Sequence, residues 1–539
     1  MSNVRHILGA VVIHESNLAS LKGTTLDISA KATPCRYRLV DCAQFTQHQT
    51  LRIYELPEFP QIHYSAVSYV WRGLPVDPVD AAGREGVTFE VKGAGDADPT
   101  NIDVLHHVCT AALLLQADYL WFDKLCLLQT SDEDKAWQIS RMHLIYQSAH
   151  VCFVLPGGIG RLASLEEETT WIHRAWTLQE VMLPKRTMVL YSWKLGSGFW
   201  EPSGLPPCEV IEVVPQKSAV SSVLGILHGS ISGLNPGHFV RGQAPGENYP
   251  IIFRNVDPCA PAVKRSAQSQ LIALIAVMEL EEPEARAQAL WRSALTRTSA
   301  RPVDMVFSIM GLFGVVLDTS GFHQDDRLGA TIALAQAILR RGSTASWLGV
   351  SFYLAPCRQL SSFPEFPETS LEGRAYVRTE NGLAEVGDLM NEFYEAGWWL
   401  SGVPTGTMDD TGYLFFSAKA FPIYPTDEQQ EAFEGGVDNM SVTPRIVALG
   451  GAIWELGLRE QSGAARYIVL LGMQHPFSLQ GMPRWHAGWS IRAMIVEEHA
   501  PGRYHRTSCC MLGDIYKPLV ETWATRLFAL GGPFPRHGS

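Results

Sequence analysis

From residue 64 to residue 193 the hydrophobic period of the chain switches between two and about 3.6 residues, and few folds accommodate that alternation. Ala66-Val67-Ser68-Tyr69-Val70-Trp71 is rich in β-branched and aromatic residues, as a strand requires. Val104, Leu105, Val108, Ala112 and Leu115 then recur at helical spacing, and Tyr119-Leu120-Trp121-Phe122 returns to a short apolar strand ending at Asp123. A second unit follows at once. Thr130 to Glu133 offers a capping box, Ile139, Met142, Ile145, Tyr146 and Ala149 mark one helix face, and Val151 to Leu155 is a strand closed by Pro156-Gly157-Gly158. The third unit places Trp171, Ala175, Leu178 and Met182 on a helix that stops near Pro184, before the strand Met188 to Tyr191. Such an order builds βαβ units, so the expected fold class is α/β with a mostly parallel sheet covered on both faces. Right-handed crossovers put the strand carboxyl ends, and with them Trp71 and Asp123, on the edge where open α/β sheets bind ligands.

This α/β domain is expected over residues 61–193, with residues 1–60 an N-terminal segment packed on it; the apolar run Ile7 to Ile13 reads as a first strand. Residues 194 to 262 are rich in Gly, Pro and Ser, hold one plausible strand at Val210 to Val214, and read as a connection. Helical periodicity returns from 266 to 341, with Leu271, Leu274, Ile275 and Met278 on one stripe and Asp304 to Phe313 forming another apolar helix. The connection and helical region together span 194–345, and residues 346–539 form a β-rich or α+β C-terminal region. Its β-like runs are Gly412 to Phe416, Arg445 to Leu449, Arg466 to Leu471 and Ile491 to Val496.

Composition removes several function classes. With 43 Lys and Arg against 55 Asp and Glu the net charge is −12, which argues against nucleic acid as a partner, because phosphate binding needs clustered cations. Apolar residues at 46% against 18% charged residues exclude disorder over most of the chain. The longest dense apolar stretch, Leu271 to Met278, is far short of the about twenty residues of a membrane span, so a soluble, cytoplasmic protein is expected. Ten cysteines without a C-x-x-C pattern indicate neither a disulfide scaffold nor a zinc ribbon.

The common cofactor and hydrolase motifs are absent. Gly93-Ala94-Gly95 lacks the third glycine of a dinucleotide loop, and there is no Walker loop, G-x-S-x-G or H-E-x-x-H. His499, His505 and Cys509-Cys510 match no zinc spacing, so no metal is expected. The better constellation lies at the edge of the α/β region. Asp123 ends a strand, Cys126 and Gln129 follow in the turn, and on the helix Trp171 to Leu183 the residues His173, Trp176 and Glu180 fall at i, i+3 and i+7. A carboxylate beside an indole is partly dehydrated and can act as a general base or accept a hydrogen bond from a ribose hydroxyl. The structural alternative stays open: Glu180 paired with Arg174 or Arg72 inside a core of tryptophans.

Four blocks carry a family resemblance. Tyr64-Ser-Ala-Val-Ser-Tyr-Val-Trp-Arg-Gly73, Leu120-Trp-Phe-Asp-Lys-Leu-Cys-Leu-Leu-Gln129, Gln138-Ile-Ser-Arg-Met-His-Leu-Ile-Tyr-Gln-Ser-Ala149 and Arg174-Ala-Trp-Thr-Leu-Gln-Glu180 stand in the order of the HET (heterokaryon incompatibility) domain of filamentous fungi, which they resemble. Arg301 to Leu312 is similar to a segment that often follows in such proteins. Three positions depart from the family pattern: Leu128 replaces Asn, Ala175 replaces Gly, and Arg72 is inserted between Trp71 and Gly73. The resemblance implies an intracellular protein of non-self recognition and programmed cell death that meets protein partners or itself through the HET domain. It further implies a TIR-like, flavodoxin-like parallel sheet, by relation to Toll-receptor-type domains. Some TIR relatives hydrolyse NAD with a helix-borne glutamate. Carried over, Glu180 is the candidate for that role; with the constellation above, Glu180 and Asp123 are the candidate catalytic residues and Trp71, Trp176, Cys126 and Gln129 the candidate substrate contacts, with NAD a candidate substrate and no bound cofactor. Three functions follow as expectations: a signalling module, a glycohydrolase of NAD or another nucleotide, or a degenerate paralogue without chemistry.

Overall fold

The computed structural model describes residues 9–75, 88–201, 207–231, 237–241, 248–251, 266–368, 373–391, 397–429, 437–438, 445–457, 464–477 and 489–533. The chain divides into two compact units, Met1–Val263 with Asp318–Gly321, and Lys264–Leu317 with Phe322–Ser539.

The first unit is built on one twelve-stranded sheet. Its strands are β1 (Val11–Asn17), β2 (Tyr37–Asp41), β3 (Thr50–Leu56), β4 (Tyr64–Tyr69), β5 (Tyr119–Trp121), β6 (Val151–Leu155), β7 (Thr187–Ser192), β8 (Gly198–Glu201), β9 (Cys208–Val214), β10 (Ser218–Ser222), β11 (Gly237–Arg241) and β12 (Asn248–Ile251). They lie in the order β1-β3-β2-β5-β4-β6-β7-β10-β9-β8-β11-β12. The centre, β5-β4-β6-β7, is parallel, with Ser65 opposite Leu120, Ala66 opposite Cys152, and Met188 opposite Phe153. Every residue of β4 and β6 is buried; β6 accordingly reads as an unbroken apolar run, while β4 carries two buried serines, Ser65 and Ser68. Antiparallel strands flank this core on both sides, β2 against β5 and β10 against β7.

Helices α1 (Ile102–Leu114), α2 (Asp123–Cys126), α3 (Asp132–Ser148) and α4 (Thr177–Met182) connect the parallel strands. Asn101 caps α1 by accepting from Asp103 N and Val104 N, and its amide donates to Gly160 O at 2.9 Å. The cap of α3 is Ser131, which accepts from Asp134 N at 3.2 Å, one residue beyond the expected Thr130–Glu133 box. The carboxylate of Asp134 is committed elsewhere. It accepts from Arg38 Nη1 at 3.0 Å, Leu128 N at 2.8 Å and Cys35 N at 2.7 Å, while Arg38 Nη1 also donates to Cys126 O at 3.0 Å.

Two expectations are corrected. The helix Trp171 to Leu183 is not continuous: a 3-10 turn covers Trp171–His173, Arg174 is extended, and α4 starts at Thr177. The Thr177 hydroxyl donates to Trp171 O at 3.0 Å and to Arg174 O at 2.8 Å, taking carbonyls that an unbroken helix would have satisfied with backbone N–H groups. His173, Trp176 and Glu180 therefore do not form one helical stripe. Residues 194–262 are more than a connection with one strand, since β8 to β12 extend the sheet. Their glycine is partly a packing device: a Cβ on Gly198 would stand 2.3 Å from Val240 O on the neighbouring strand. The first strand begins at Val11, and residues 1–8 lie outside the described residues.

The second unit opens with helices α5 (Ser266–Glu279), α6 (Pro283–Leu295), α7 (Asp304–Met310) and α8 (Arg327–Arg340). Its sheet comprises β13 (Trp398–Ser401), β14 (Gly406–Met408), β15 (Leu414–Gln429), β16 (Val437–Asp438), β17 (Arg445–Val447), β18 (Ala452–Leu456), β19 (Arg466–Pro476), β20 (Trp489–Ala500), β21 (Arg503–Gly513) and β22 (Ala524–Leu530). β19, β20, β21, β22 and β15 pair in sequence, and β15 pairs back onto β19, so these five strands close into a small barrel. Its core gathers Ile468, Ala493, Ile495, Cys510 and Trp523.

Two stability predictions follow from the first unit. A Cβ on Gly73 would meet Gly157 O at 2.0 Å, backbone against backbone, whereas Gly95 faces open space. Gly73→Ala is expected to cost about 2–3 kcal/mol in urea unfolding and Gly95→Ala less than about 0.5 kcal/mol; equal effects would refute the close approach. Arg38 and Asp134 side chains are both fully buried. Arg38→Met leaves Asp134 without its cation and should cost about 3–5 kcal/mol; Arg38→Met with Asp134→Leu should show coupling in a double-mutant cycle but only partial recovery, because Cys35 N and Leu128 N lose their acceptor.

Candidate functional site

The chain runs from β4 out to the helix beyond β5 and returns to β6 on the other side of β4. This reversal of strand order makes the carboxyl ends of β4 and β6 a switch point, the place where open α/β sheets form crevices. The loops that leave these ends touch. Leu74 N donates to Gly157 O at 2.9 Å, and Asp98 clamps the first loop from outside, its carboxylate accepting from Gly73 N at 2.7 Å and its N–H donating to Trp71 O at 2.8 Å.

Two carboxylates converge beside this switch point. At the end of β4, Ser68 Oγ donates to Glu180 Oε2 at 2.6 Å and accepts from Trp171 Nε1 at 2.8 Å. The next residue, Tyr69, donates its hydroxyl to Asp123 Oδ1 at 2.8 Å; the same carboxylate accepts from Lys124 N at 2.6 Å and from the Trp71 indole. A second phenol, Tyr146 on α3, donates to Val67 O at 2.9 Å. Burial first, and then the fields of both Asp123 and Glu180, push the hydroxyls of Tyr69 and Tyr146 well above the usual phenol range. Asp123 and Glu180 therefore act on the same two side chains. Burial also raises the Asp123 carboxyl above its ordinary value, against the hydrogen bonds from Tyr69, Lys124 N and Trp71 that lower it. Glu180 is 9% exposed, at the rim of this cluster.

The six expected site residues take different places. Asp123, Glu180 and Trp71 join the cluster, Trp71 half-buried with its indole on Asp123. Trp176 is half-buried, precedes α4 and packs against the main core. Cys126 is fully buried: its sulfur accepts from Phe122 N at 3.4 Å, and burial pushes its thiol up to about 12. Gln129 is buried and its amide turns back to donate to Asp123 O at 3.0 Å, so both residues brace the turn that carries Asp123. Ser68, Tyr69, Tyr146 and Trp171 were missed, although the first three stand inside the sequence blocks named above. The signal available was their place in those blocks. Leu128, where the family has Asn, is buried and contributes its backbone N–H to Asp134, while the inserted Arg72 donates from an exposed position to Asp96 O at 3.0 Å.

Among the described residues no group of three or more His, Cys, Asp or Glu side chains is placed to hold a metal ion, and no helix is long and apolar enough to cross a membrane. In the second unit His499 and His505 approach one another through their Nδ1 atoms at 3.2 Å. In comparisons with known proteins, no curated protein and no solved structure matches the chain. One family does match, described as Heterokaryon incompatibility protein (HET), over residues 64–164. That interval holds β4, β5, α2, α3 and β6, and with them Ser68, Tyr69, Asp123 and Tyr146. The chain therefore carries a HET domain over residues 64–164.

Proposed function

We propose that this is a fungal signalling protein of non-self recognition, acting in the cytoplasm, whose HET domain triggers programmed cell death on meeting a protein partner or a second copy of itself. The observation that carries the reading is the joint placement of Asp123 and Glu180 around Tyr69 and Tyr146 at the carboxyl edge of the parallel strands, with Tyr69, Asp123 and Tyr146 inside the matched family interval. The order of those strands, second-first-third-fourth along β5-β4-β6-β7, supports a flavodoxin-like and TIR-like sheet.

The same cluster favours a second reading, hydrolysis of NAD or a related nucleotide. Glu180 would accept from a ribose hydroxyl in place of Ser68, Trp71 or Trp176 would stack on a base or on the nicotinamide, and Asp123 would position the sugar. The bond from the anomeric carbon to the nicotinamide nitrogen breaks with its electron pair leaving on nicotinamide, and water supplies the hydroxyl and releases a proton. A paralogue without chemistry is the remaining outcome, motivated by Leu128 and Ala175.

Induced expression of the full chain in a filamentous fungus is expected to arrest growth and kill cells; survival at equal protein level would refute the signalling reading. Incubated at high concentration with NAD, the purified chain should release nicotinamide, and Glu180→Gln should reduce that release by about 100-fold or more. No release by wild type, or equal release by the variant, removes the catalytic reading and leaves death signalling to be judged on its own.

Asp123 yields a pH prediction. Its folded value lies above its unfolded one, so its contribution to stability is complete below the unfolded value and is lost as pH rises through the folded value. Asp123→Asn cannot ionise. It should unfold with less pH dependence above the ordinary carboxyl range, be more stable than wild type at neutral pH, and lose death signalling. A variant destabilised at neutral pH would show that the charge is compensated in the fold.

A further inference from the structure

The hairpin of β20 and β21 in the second unit brings two histidines together near its tip. In its register Glu498 pairs with Tyr504 and Ala500 with Arg503, so His499 is the extra residue of a β-bulge. A bulge re-aims the side chain it carries. Here the ring of His499 turns onto that of His505, with Nδ1 facing Nδ1 at 3.2 Å, centroids 5.2 Å apart and planes at 62°. Their spacing along the chain matches no zinc pattern because the bulge, and not a sequence period, joins the rings. Both residues are half-buried, so solvent reaches the pair.

The far side of His499 is held in place. Its Nε2 lies 2.9 Å from the Tyr413 hydroxyl, which donates to Gly532 O at 3.2 Å. A carbonyl only accepts, so the phenolic proton goes to Gly532 O, His499 donates from Nε2, and its Nδ1 presents a lone pair to His505. An outer partner of this kind orients a metal-ligating histidine and fixes its tautomer. Without a metal the pair closes on a proton at His505 Nδ1. With that proton on Nε2 instead, two lone pairs converge on one point, and their separation selects the ion. Two Zn–N bonds of about 2.0–2.1 Å at the tetrahedral angle hold their nitrogens about 3.3 Å apart, against about 2.9 Å at the right angle of a square-planar centre. Two charges act on His499 in opposite senses: Arg503, its guanidinium 4.4 Å over the Tyr413 ring, and Glu498, whose carboxylate accepts from Gly502 N at 2.7 Å.

We propose that His499 Nδ1 and His505 Nδ1 form a zinc-binding site, with Tyr413 and Gly532 O as its outer support. Among the described residues no third His, Cys, Asp or Glu joins them, so water completes the four ligands of the ion. The site does not rest on the function assigned to the HET domain.

Zinc chloride titrated by calorimetry into the chelator-treated full chain, with melting followed in parallel, tests this. A saturable equivalent of zinc and a matching rise in melting temperature are expected, with magnesium chloride giving neither, since magnesium prefers oxygen ligands. His499→Gln and His505→Gln should each remove that equivalent. Tyr413→Phe keeps both ligands and should weaken zinc by about tenfold or more. In nitrogen-15 spectra of the histidine rings, zinc should shift both Nδ1 signals and leave both rings protonated on Nε2. Absence of saturable binding by wild type, an equivalent that persists in either glutamine variant, or ring signals of His499 and His505 unmoved by zinc would overturn the proposal. If a glutamine variant does not fold, the ring spectra of the wild type decide.

Discussion

Asp134 is an acid taken out of water, and donors from three separate segments replace that water: the guanidinium of Arg38 on β2, the N–H of Cys35 in the loop before it, and the N–H of Leu128 in the turn after α2. Arg38 in turn holds Cys126 O at the end of α2. The pair therefore fixes where α2 ends and where α3 begins, and α2 begins at Asp123. Removing two charges from water costs about as much as their attraction returns, so such a pair contributes specificity more than net stability. Here the specificity is positional. A shift of Asp134 would carry with it the turn that presents Asp123 to Tyr69. The departure at Leu128 is compatible with this role, because the turn uses the backbone of that residue and not its side chain.

The polar cluster at the edge of β4 depends on that anchoring in a second way. Tyr69 and Ser68 are neighbours in sequence, yet one serves Asp123 and the other Glu180, so the end of a single strand sets the distance between two acids. Gly73 and Gly157 bring the neighbouring loops together closely enough that no side chain could stand between them. The site is consequently built from backbone registers of β4, β5 and β6, of which β4 and β6 are buried at every residue, and less from loops.

Much of this was legible in the sequence, for a physical reason. Strands buried on both faces are rich in apolar and β-branched or aromatic residues, and helices covering them carry a 3.6-residue stripe, so β4, β6, α1 and α3 are visible in local pattern alone. The break at Arg174 is invisible locally because it depends on Trp171 reaching Ser68, a contact between residues 103 positions apart. Of strands β8 to β12 only β9 was visible in the sequence, because turn-forming residues dominate the segment around the others and because Gly198 is there for the approach of Val240. In the site, Asp123, Glu180 and Trp71 were identifiable from chemistry and block position. That Tyr69 and Tyr146 would link the two acids was not, since only the sheet brings those blocks together.

The composition of the cluster also constrains what it can meet. Tyr69 and Tyr146 remain protonated throughout the physiological range, and their hydroxyls are already committed to Asp123 and to Val67 O. The indole of Trp171 is committed to Ser68, and Lys124 extends its ammonium to Asp98 O. The donors are thus largely used within the fold, around two carboxylates, with Arg174 the cation whose field reaches Tyr69. A site of that kind discriminates against anions and favours a group that brings hydroxyl donors or positive charge. Ribose hydroxyls and a pyridinium ring have those properties, and so does a basic or hydroxyl-rich segment of a partner protein. Catalysis and partner recognition therefore make the same electrostatic demand on this edge, and what separates them is whether water can reach the carbon that a bound sugar would present.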